Sequence, residues 1–228
     1  MTESVRVGEA EFPVWPAGQT LAAADSGRTL LMTRFADHAS YQARLIDTIL
    51  ARTRAVEAKR AQARIIGGAK AFGVDGWDCP AAQLVNERAK ALFRRVAKTD
   101  AAVVDLSWAN VYRAGDYAIP HSHVRAVASL VYYVDLGDSD PRDPMAGRFG
   151  FVDPRHPICC NLEPGHLTSP FFPELAAGMM IIFPGRTVHT VNPYFGERPR
   201  ITVAWNINPT ALPGDAAAAI GKVELAER

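Results

Sequence analysis

The part of the chain that follows residue 100 consists of short β-prone runs, and this feature constrains the fold most. Gly, Pro, Asp and Asn separate the runs, which cover residues 103–112, 126–134, 147–152, 179–183, 188–191 and 201–207. No helical pattern lies between most of these runs, so a parallel sheet, which needs crossover helices, is disfavoured. The pattern predicts an antiparallel sandwich or barrel of short strands.

The residues before position 100 have a helical pattern instead. Between about residues 37 and 63, apolar side chains recur at helical spacing at Tyr41, Leu45, Ile46 and Ile49. A Gly-rich break follows, and Pro80 then suits the first turn of a second helix that continues to about Lys98. The expected buried stripe of this helix consists of Leu84, Ala91, Leu92 and Val96. We therefore predict a mainly β protein in which N-terminal helices pack against a jelly-roll-like double sheet.

A length of 228 residues is enough for one substantial core, and we expect a single domain over residues 1–228. Within it, residues 1–100 would form a helical support region and residues 101–209 a β core. Residues 210–228 would form a peripheral helix or a frayed tail. The formal net charge of +1 argues against nucleic acid or an anionic membrane as the main partner, because both reward a concentrated basic surface.

The cysteines and the apolar segments bear on the location of the protein. The chain has 3 cysteines, an odd number, and Cys159 and Cys160 are adjacent, which makes a poor disulfide framework. No apolar signal core follows Met1, and no apolar run approaches the length that spans a bilayer. These observations favour a cytoplasmic protein.

Histidines are placed where strands could bring them together. His121 and His123 are one residue apart before the run 126–134, and the period of a strand would put both imidazoles on one side. His189 follows the run 179–183, in a tight turn that leads into a strand. Imidazole suits Fe, Zn, Cu or Ni, and three protein ligands leave positions open for substrate or oxygen. We therefore predict a metal site, although Asp105 or Asp116 could supply a carboxylate if His123 points away.

An arginine at the start of the last strand points to an anion. Alternation places Arg200, Thr202, Ala204 and Asn206 on one face of the run and the apolar residues on the other. An arginine that packs against an apolar sheet needs an anionic partner, and its planar fork pairs bidentately with a carboxylate. Arg198 has the same parity and is the rival candidate, although its place in a turn fits an edge charge better.

These residues, taken in order, resemble a known family. The ordered set comprises Trp108-Ala-Asn110, Gly115, His121-x-His123, Ser129-Leu-Val-Tyr-Tyr-Val134, Asp153-Pro-Arg155, Pro184 with His189, and Arg200-Ile-Thr-Val-Ala-Trp-Asn206. It resembles the putative 2-oxoglutarate/Fe(II) oxygenases related to prolyl hydroxylases. The resemblance covers Trp108 to Asn206. It implies a double-stranded β-helix, cupin-like in form, that holds Fe(II) and uses 2-oxoglutarate and O2.

The resemblance also implies roles for single residues. His121 and His189 match the family's histidine ligands, and His123 stands where the wider superfamily has Asp or Glu. Arg200 matches the arginine that binds the distal carboxylate of 2-oxoglutarate. Tyr133 and Asn110 match residues that would contact the same cosubstrate. Leu130 and Val124 depart from the usual Gly and Pro, which puts the substrate analogy with the family in doubt.

The expected activity is hydroxylation of an unactivated C–H bond in an amino acid, a peptide or a small metabolite. The loops 135–147 and 153–173 are the candidates for a substrate lid, and a homodimer is left open. Two alternatives remain. One is a three-histidine cupin-like dioxygenase or isomerase that needs no 2-oxoglutarate, and the other is a non-catalytic metal-binding module.

Overall fold

The computed structural model describes residues 3–24, 30–63, 67–138, 142–152 and 171–212. The two helices of this part are α1 (Ala39–Ala63) and α2 (Pro80–Ala97), and a 3-10 turn covers Val74–Gly76. The strands are β1 (Ser4–Val7), β2 (Ala10–Pro13), β3 (Ala22–Ala23), β4 (Leu31–Arg34), β5 (Ala69–Phe72), β6 (Val103–Tyr112), β7 (Ala118–His121), β8 (Ala128–Asp135), β9 (Phe149–Phe151), β10 (Met179–Pro184), β11 (His189–Val191) and β12 (Arg200–Asn208).

Two antiparallel sheets form the centre of the molecule. The major sheet has seven strands in the order β3-β4-β10-β8-β12-β6-β5, and the minor sheet has the order β7-β11-β9. Aromatic side chains fill the space between them, with Phe149 and Phe151 of the minor sheet against Phe183 of the major sheet. This arrangement is the jelly-roll-like double sheet that the strand pattern predicted and the double-stranded β-helix that the family resemblance implies, and the fold class is confirmed.

The central strand β12 sorts its side chains by alternation. Ile201, Val203 and Trp205 are fully buried in the core cluster that also contains the helices. The intervening residues, Arg200, Thr202 and Ala204, face the space between the two sheets and line a cavity there. The period-2 prediction for this strand is therefore confirmed, and it decides which residues can take part in a site.

The helices cover the outer face of the major sheet. Their bounds lie within about two residues of the predicted ones, the usual uncertainty of helix ends, and Tyr41, Leu45 and Ile49 are buried as expected. A buried polar network ties the two helices to the sheet. Arg88 of α2, which has no exposed side-chain area, forms a bidentate pair with Asp37. The Arg88 Nη1 also donates to Tyr41 Oη, which in turn is hydrogen-bonded to Tyr132 Oη.

Strands β1 to β5 were not predicted from the sequence. They are short, and β4 and β5 extend the major sheet by pairing with β10 and β6. Residues before position 100 therefore supply strands as well as helices to the double sheet. The predicted tail lies almost wholly outside the described residues. Neither of the two described helices is both long and apolar enough to cross a bilayer.

Candidate metal centre

Three histidines meet at one end of the space between the sheets. His121 ends β7 and is paired directly with His189, the first residue of β11. His123 lies two residues beyond β7, where its backbone N–H donates to Gly185 O at 2.6 Å. One ring nitrogen of each histidine lies within 4.8 Å of the others. Among the described residues, this is the group of histidine, cysteine or acidic side chains that could hold a metal ion.

The backbone sets the orientation of two of the rings. Nδ1 of His121 lies 2.7 Å from Ile119 O, and Nδ1 of His189 lies 2.9 Å from Thr187 O. A carbonyl can only accept, so Nδ1 carries the proton in each neutral ring and leaves Nε2 with a free lone pair. Histidine ligands in metal sites are commonly held in this way by a second hydrogen bond. His121 is the most exposed of the three residues and His189 is buried.

Burial favours the neutral form of all three rings. Desolvation lowers the pKa of His123 to about 3, and the neighbouring His189 and His121 add to the shift. Desolvation, with a smaller contribution from His121, lowers the pKa of His189 to about 4. The pKa of His121 is also lowered, mainly by burial. Because a metal binds the deprotonated imidazole, the three rings are ready to accept a cation at neutral pH.

A cavity of about 150 Å³ opens beside the histidines. Its wall includes Trp108, whose ring lies 5.5 Å from that of His123, and Phe149, whose ring lies 5.4 Å from that of His189. Trp108 lies on the inward parity of β6, so it is a buried core residue that also lines the cavity. The other ionisable or amide side chains of the wall are Lys70, Asn110, Tyr112 and Arg200.

Arg200 borders this cavity as a buried cation. It is 2% exposed, and its guanidinium carbon lies 5.5 Å from the Tyr112 ring centre and 5.7 Å from that of Tyr133. Its Nε has no hydrogen-bond partner in the described part of the chain, and the fully buried Tyr133 Oη likewise has none. Burial raises the pKa of Tyr133, so that its hydroxyl keeps its proton. The Arg200 guanidinium and the Tyr133 hydroxyl are therefore buried donors that are available to an anion.

The rival arginine has a different environment. The side chain of Arg198 is 61% exposed and pairs with Asp138 at 2.8 Å and Asp135 at 3.6 Å. A guanidinium already held by carboxylates at the surface is not available for a buried ligand. The geometry therefore favours Arg200 over Arg198 as the residue that binds a cosubstrate.

Asn110 and Thr202 complete the inner face of the major sheet. They are paired across β6 and β12, and Asn110 Nδ2 lies 3.3 Å from Thr202 Oγ1. The same row continues to Tyr133 on β8 and to Lys70 on β5. Sequence reasoning missed Lys70, Thr202 and Tyr112 as site residues. The inward parity of β6 and β12 could have identified Tyr112 and Thr202, whereas Lys70 lies on an edge strand that was not predicted.

Other candidates from the sequence do not join the site. Asp116 accepts hydrogen bonds from Arg60 and from the backbone N–H of Gly67 and of Arg113, and Asp105 pairs with Arg125. Neither acid belongs to the histidine group. Leu130 belongs to the core cluster on the helix side of the sheet and also borders the cavity, and Val124, beside His123, is 72% exposed. Arg155, Cys159 and Cys160 lie outside the described residues.

Two glycines allow the backbone to approach the site closely. A Cβ on Gly185 would lie 2.3 Å from Ala126 O and 2.7 Å from His123 O, so only glycine fits against the turn that carries His123. A Cβ on Gly68 would lie 1.9 Å from the Tyr112 ring. Because glycine has no side chain, the backbone can approach closely at both positions. Gly185 thereby positions the turn of His123, and Gly68 positions the Tyr112 ring in the cavity wall.

Comparisons with known proteins agree with this geometry. Residues 106–206 match the family model described as putative 2OG-Fe(II) oxygenase. No curated protein matches the chain by sequence. Solved structures that are similar in fold include the following three, each of which is less than 25% identical to the chain.

A viral collagen prolyl hydroxylase from Paramecium bursaria Chlorella virus-1 has a TM-score of 0.53 and 13% identity, over 81% of this chain and 98% of that one. The carbocyclase SnoK of nogalamycin biosynthesis has a TM-score of 0.57 and 11% identity, over 86% of both chains. A prolyl hydroxylase from Trichoplax adhaerens, in complex with a hypoxia inducible factor peptide, has a TM-score of 0.52 and 15% identity, over 79% of this chain and 84% of that one.

The described residues form a double-stranded β-helix with a histidine group at its inner end that could hold a metal ion. The segment matched by the family model contains all three histidines, Tyr133, Asn110 and Arg200. The resemblance to 2-oxoglutarate/Fe(II) oxygenases stated from the sequence is therefore confirmed over residues 106–206. The cofactors of this enzyme class are Fe(II), 2-oxoglutarate and O2.

The residues present fit those cofactors. Three neutral imidazoles are ligands that Fe(II) accepts. Arg200 Nε and Tyr133 Oη are buried donors without a hydrogen-bond partner among the described residues, and such donors suit one carboxylate of a dicarboxylic acid.

Proposed function

We propose that this protein is a hydroxylase in which His121, His123 and His189 hold Fe(II) and Arg200 holds 2-oxoglutarate. The single observation that carries the proposal is Arg200, a cation that is 2% exposed and has an unpaired Nε beside the cavity that the histidines line. Burying an unpaired charge is costly, so the arrangement is explained by an anion that binds there. Tyr133 donates a second hydrogen bond to the carboxylate of 2-oxoglutarate that Arg200 binds. Asn110, which lines the same cavity, also contacts 2-oxoglutarate.

When bound, the iron and its cosubstrate activate O2 for attack on a C–H bond. The protein supplies position and exclusion of water. Thr187 O and Ile119 O keep two imidazoles in the tautomer that presents Nε2 to the metal. Trp108, Phe149 and Phe183 line the cavity with apolar surface next to the metal site, which strengthens every charge interaction inside it.

The histidine at position 123 changes the charge of the site. A carboxylate ligand would cancel one unit of the metal's charge, whereas three neutral imidazoles leave it at 2+. An anionic cosubstrate should therefore bind at least as well as in a site with a carboxylate ligand.

The substrate class follows only in outline. The similar structures include enzymes named for a prolyl peptide and for a step in the synthesis of a small molecule. We therefore propose an amino acid, a peptide side chain or a small metabolite as the molecule that is hydroxylated. Residues 135–138 and 142–147 belong to a loop that we propose as a substrate lid, whereas residues 153–170 of the other predicted lid loop lie outside the described residues. Leu136, Pro144 and Leu175 line a second cavity, of about 310 Å³, which Arg200 also borders.

A three-histidine enzyme without a cosubstrate is the second candidate, because some three-histidine iron sites need no 2-oxoglutarate. It gives no role to the unpaired Arg200 and Tyr133, and we therefore disfavour it. A non-catalytic metal-binding module is the third candidate, and it predicts metal binding without consumption of O2.

The test is an anaerobic titration of the Fe(II)-loaded protein with 2-oxoglutarate, followed by the visible metal-to-ligand charge-transfer band. Arg200→Met should weaken binding by about 100-fold, the usual order for loss of one partner of a buried charge pair. The matched control is Arg198→Met, which removes an exposed arginine two residues before Arg200 and should leave the titration unchanged. A wild-type protein that binds Fe(II) but forms no band would contradict the proposal and favour the cosubstrate-free candidate.

A further inference from the structure

We propose that Lys70 binds an anionic group of the primary substrate, so that the enzyme acts on molecules that carry a carboxylate or a phosphate. This inference rests on the proposed function, because it assumes that Arg200 is occupied by 2-oxoglutarate. It assigns a specificity-determining role to a residue of β5, a strand that lies outside the segment matched by the family model.

Strand pairing places Lys70 on the inner face of the major sheet. Lys70 is the direct partner of Asn110, and Asn110 is the direct partner of Thr202. Cα partners in antiparallel strands point to the same side of the sheet, so all three side chains start from the cavity side. Lys70 lines the cavity together with the three histidines. It stands at the edge of the sheet, because β5 is the terminal strand.

The depth of the two cavity cations differs. Arg200 is 2% exposed, whereas Lys70 is an exposed residue. Lys70 therefore stands where the cavity meets solvent, and Arg200 stands inside it. A long, flexible side chain that ends in a compact charge suits capture of an anion at an entrance, whether carboxylate or phosphate.

Lys70 and the three histidines line the same cavity. An anion paired with Lys70 would therefore lie beside the histidine group, while Arg200 remains available to the cosubstrate. The geometry thus provides two separate anion positions in one cavity, one for 2-oxoglutarate and one for a substrate.

The experiment compares matched acid and neutral probes on the protein loaded with Fe(II) and excess 2-oxoglutarate, without O2. The probes are the N-acetyl amino acids with their carboxamides, and simple sugar phosphates with their parent sugars. The readout is perturbation of the charge-transfer band, which reports binding beside the metal without turnover. In the wild type, we expect acidic members to perturb the band at concentrations about tenfold lower than their neutral partners.

Lys70→Met should abolish this preference, and Lys70→Arg, which keeps the charge, should retain most of it. Lys90→Met removes a lysine on the surface of α2 and is the control for net charge. Equal binding of acidic and neutral probes by the wild type would overturn the inference, as would a preference that survives in Lys70→Met, or no response to any probe. Weakened 2-oxoglutarate binding in Lys70→Met would overturn it too, by placing Lys70 in the cosubstrate site. A wild type that forms no band with 2-oxoglutarate would instead show that the proposed function itself fails.

Discussion

The two faces of the major sheet use the same residue types for different purposes. On the outer face, Arg88 places both terminal nitrogens on Asp37 and also contacts Tyr41. On the inner face, Arg200 is equally buried but has no carboxylate partner in the described part of the chain. Arg88 and Arg200 both leave Nε without a hydrogen bond, so the difference lies in the ion pair.

Two adjacent tyrosines on β8 repeat the contrast. Tyr132 points outwards and is hydrogen-bonded to Tyr41 at 2.9 Å, whereas Tyr133 points inwards and its hydroxyl is unpaired. Polar groups that the protein satisfies itself contribute to stability and specify the packing. Polar groups that it leaves unsatisfied are available to a ligand and reduce stability until the ligand binds. The distinction between structure and site is therefore a matter of partners and not of burial.

The two buried arginines should respond in opposite ways to the same change, and this is the largest effect that we expect. Arg88→Met leaves Asp37 without its partner and should lower the free energy of unfolding by about 3–5 kcal/mol. Arg200→Met removes an unpaired charge and should not lower the stability of the metal-free protein. Urea unfolding of both variants measures the difference. If Arg200→Met lost as much stability as Arg88→Met, the proposed difference between the outer and inner faces of the sheet would be refuted.

Gly185 tests whether the inner face depends on close backbone approach. Gly185→Ala would push the turn that carries His123, because the new Cβ meets two carbonyl oxygens. We expect Fe(II) affinity to fall by about 10–100-fold, the range seen when support of a metal ligand is lost. Competition with a coloured chelator measures this change. Gly76→Ala, where a Cβ would meet no atom within 4 Å, is the control, and equal losses in the two variants would refute a positioning role for Gly185.

Acid should destabilise the metal-free protein through the inner face. The pKa values of His123 and His189 are lowered to about 3 and 4, and both should be near 6.5 in the unfolded chain. At a pH between the folded and the unfolded pKa values, the unfolded state binds more protons than the folded state does. The free energy of unfolding therefore falls as pH falls from about 6.5 towards 4. Each histidine can add at most about 1.4 kcal/mol per pH unit to the slope. Urea unfolding at several pH values should give a smaller slope for His123→Gln than for the wild type.

The tyrosine pair should give the smallest effects and the finest test of the comparison. Tyr132→Phe removes a satisfied hydrogen bond and should lower the free energy of unfolding by about 1 kcal/mol. Tyr133→Phe should leave stability unchanged and weaken 2-oxoglutarate binding by about tenfold, which corresponds to the lower limit of about 1.5 kcal/mol for one hydrogen bond to a charged group. Unfolding and charge-transfer titrations of both variants separate the two outcomes. A Tyr133→Phe variant with normal 2-oxoglutarate affinity would remove Tyr133 from the proposed site.

Periodicity predicted the parts of the fold that depend on local pattern. The long strands β6 and β12, the two helices and the inward parity of Arg200 follow from alternation or helical spacing over many residues. Strands β1 to β5 could not be predicted in this way, because each has only two to four residues, too few to show alternation. In addition, β4 and β5 pair with strands far along the chain.

The sequence by itself determined the residue types that the chemistry needs and the strand parities that make their meeting possible. Three histidines, an inward arginine and an ordered set of motifs are local properties, and they were sufficient to name the class of enzyme. Only the tertiary structure decided which polar groups are paired, because the partners are as distant in the chain as Asp37 and Arg88. It also decided that Arg198 is satisfied at the surface and that Arg200 is not. Pairing depends on long-range contacts, and it separates a group that stabilises the fold from one that is available to a ligand.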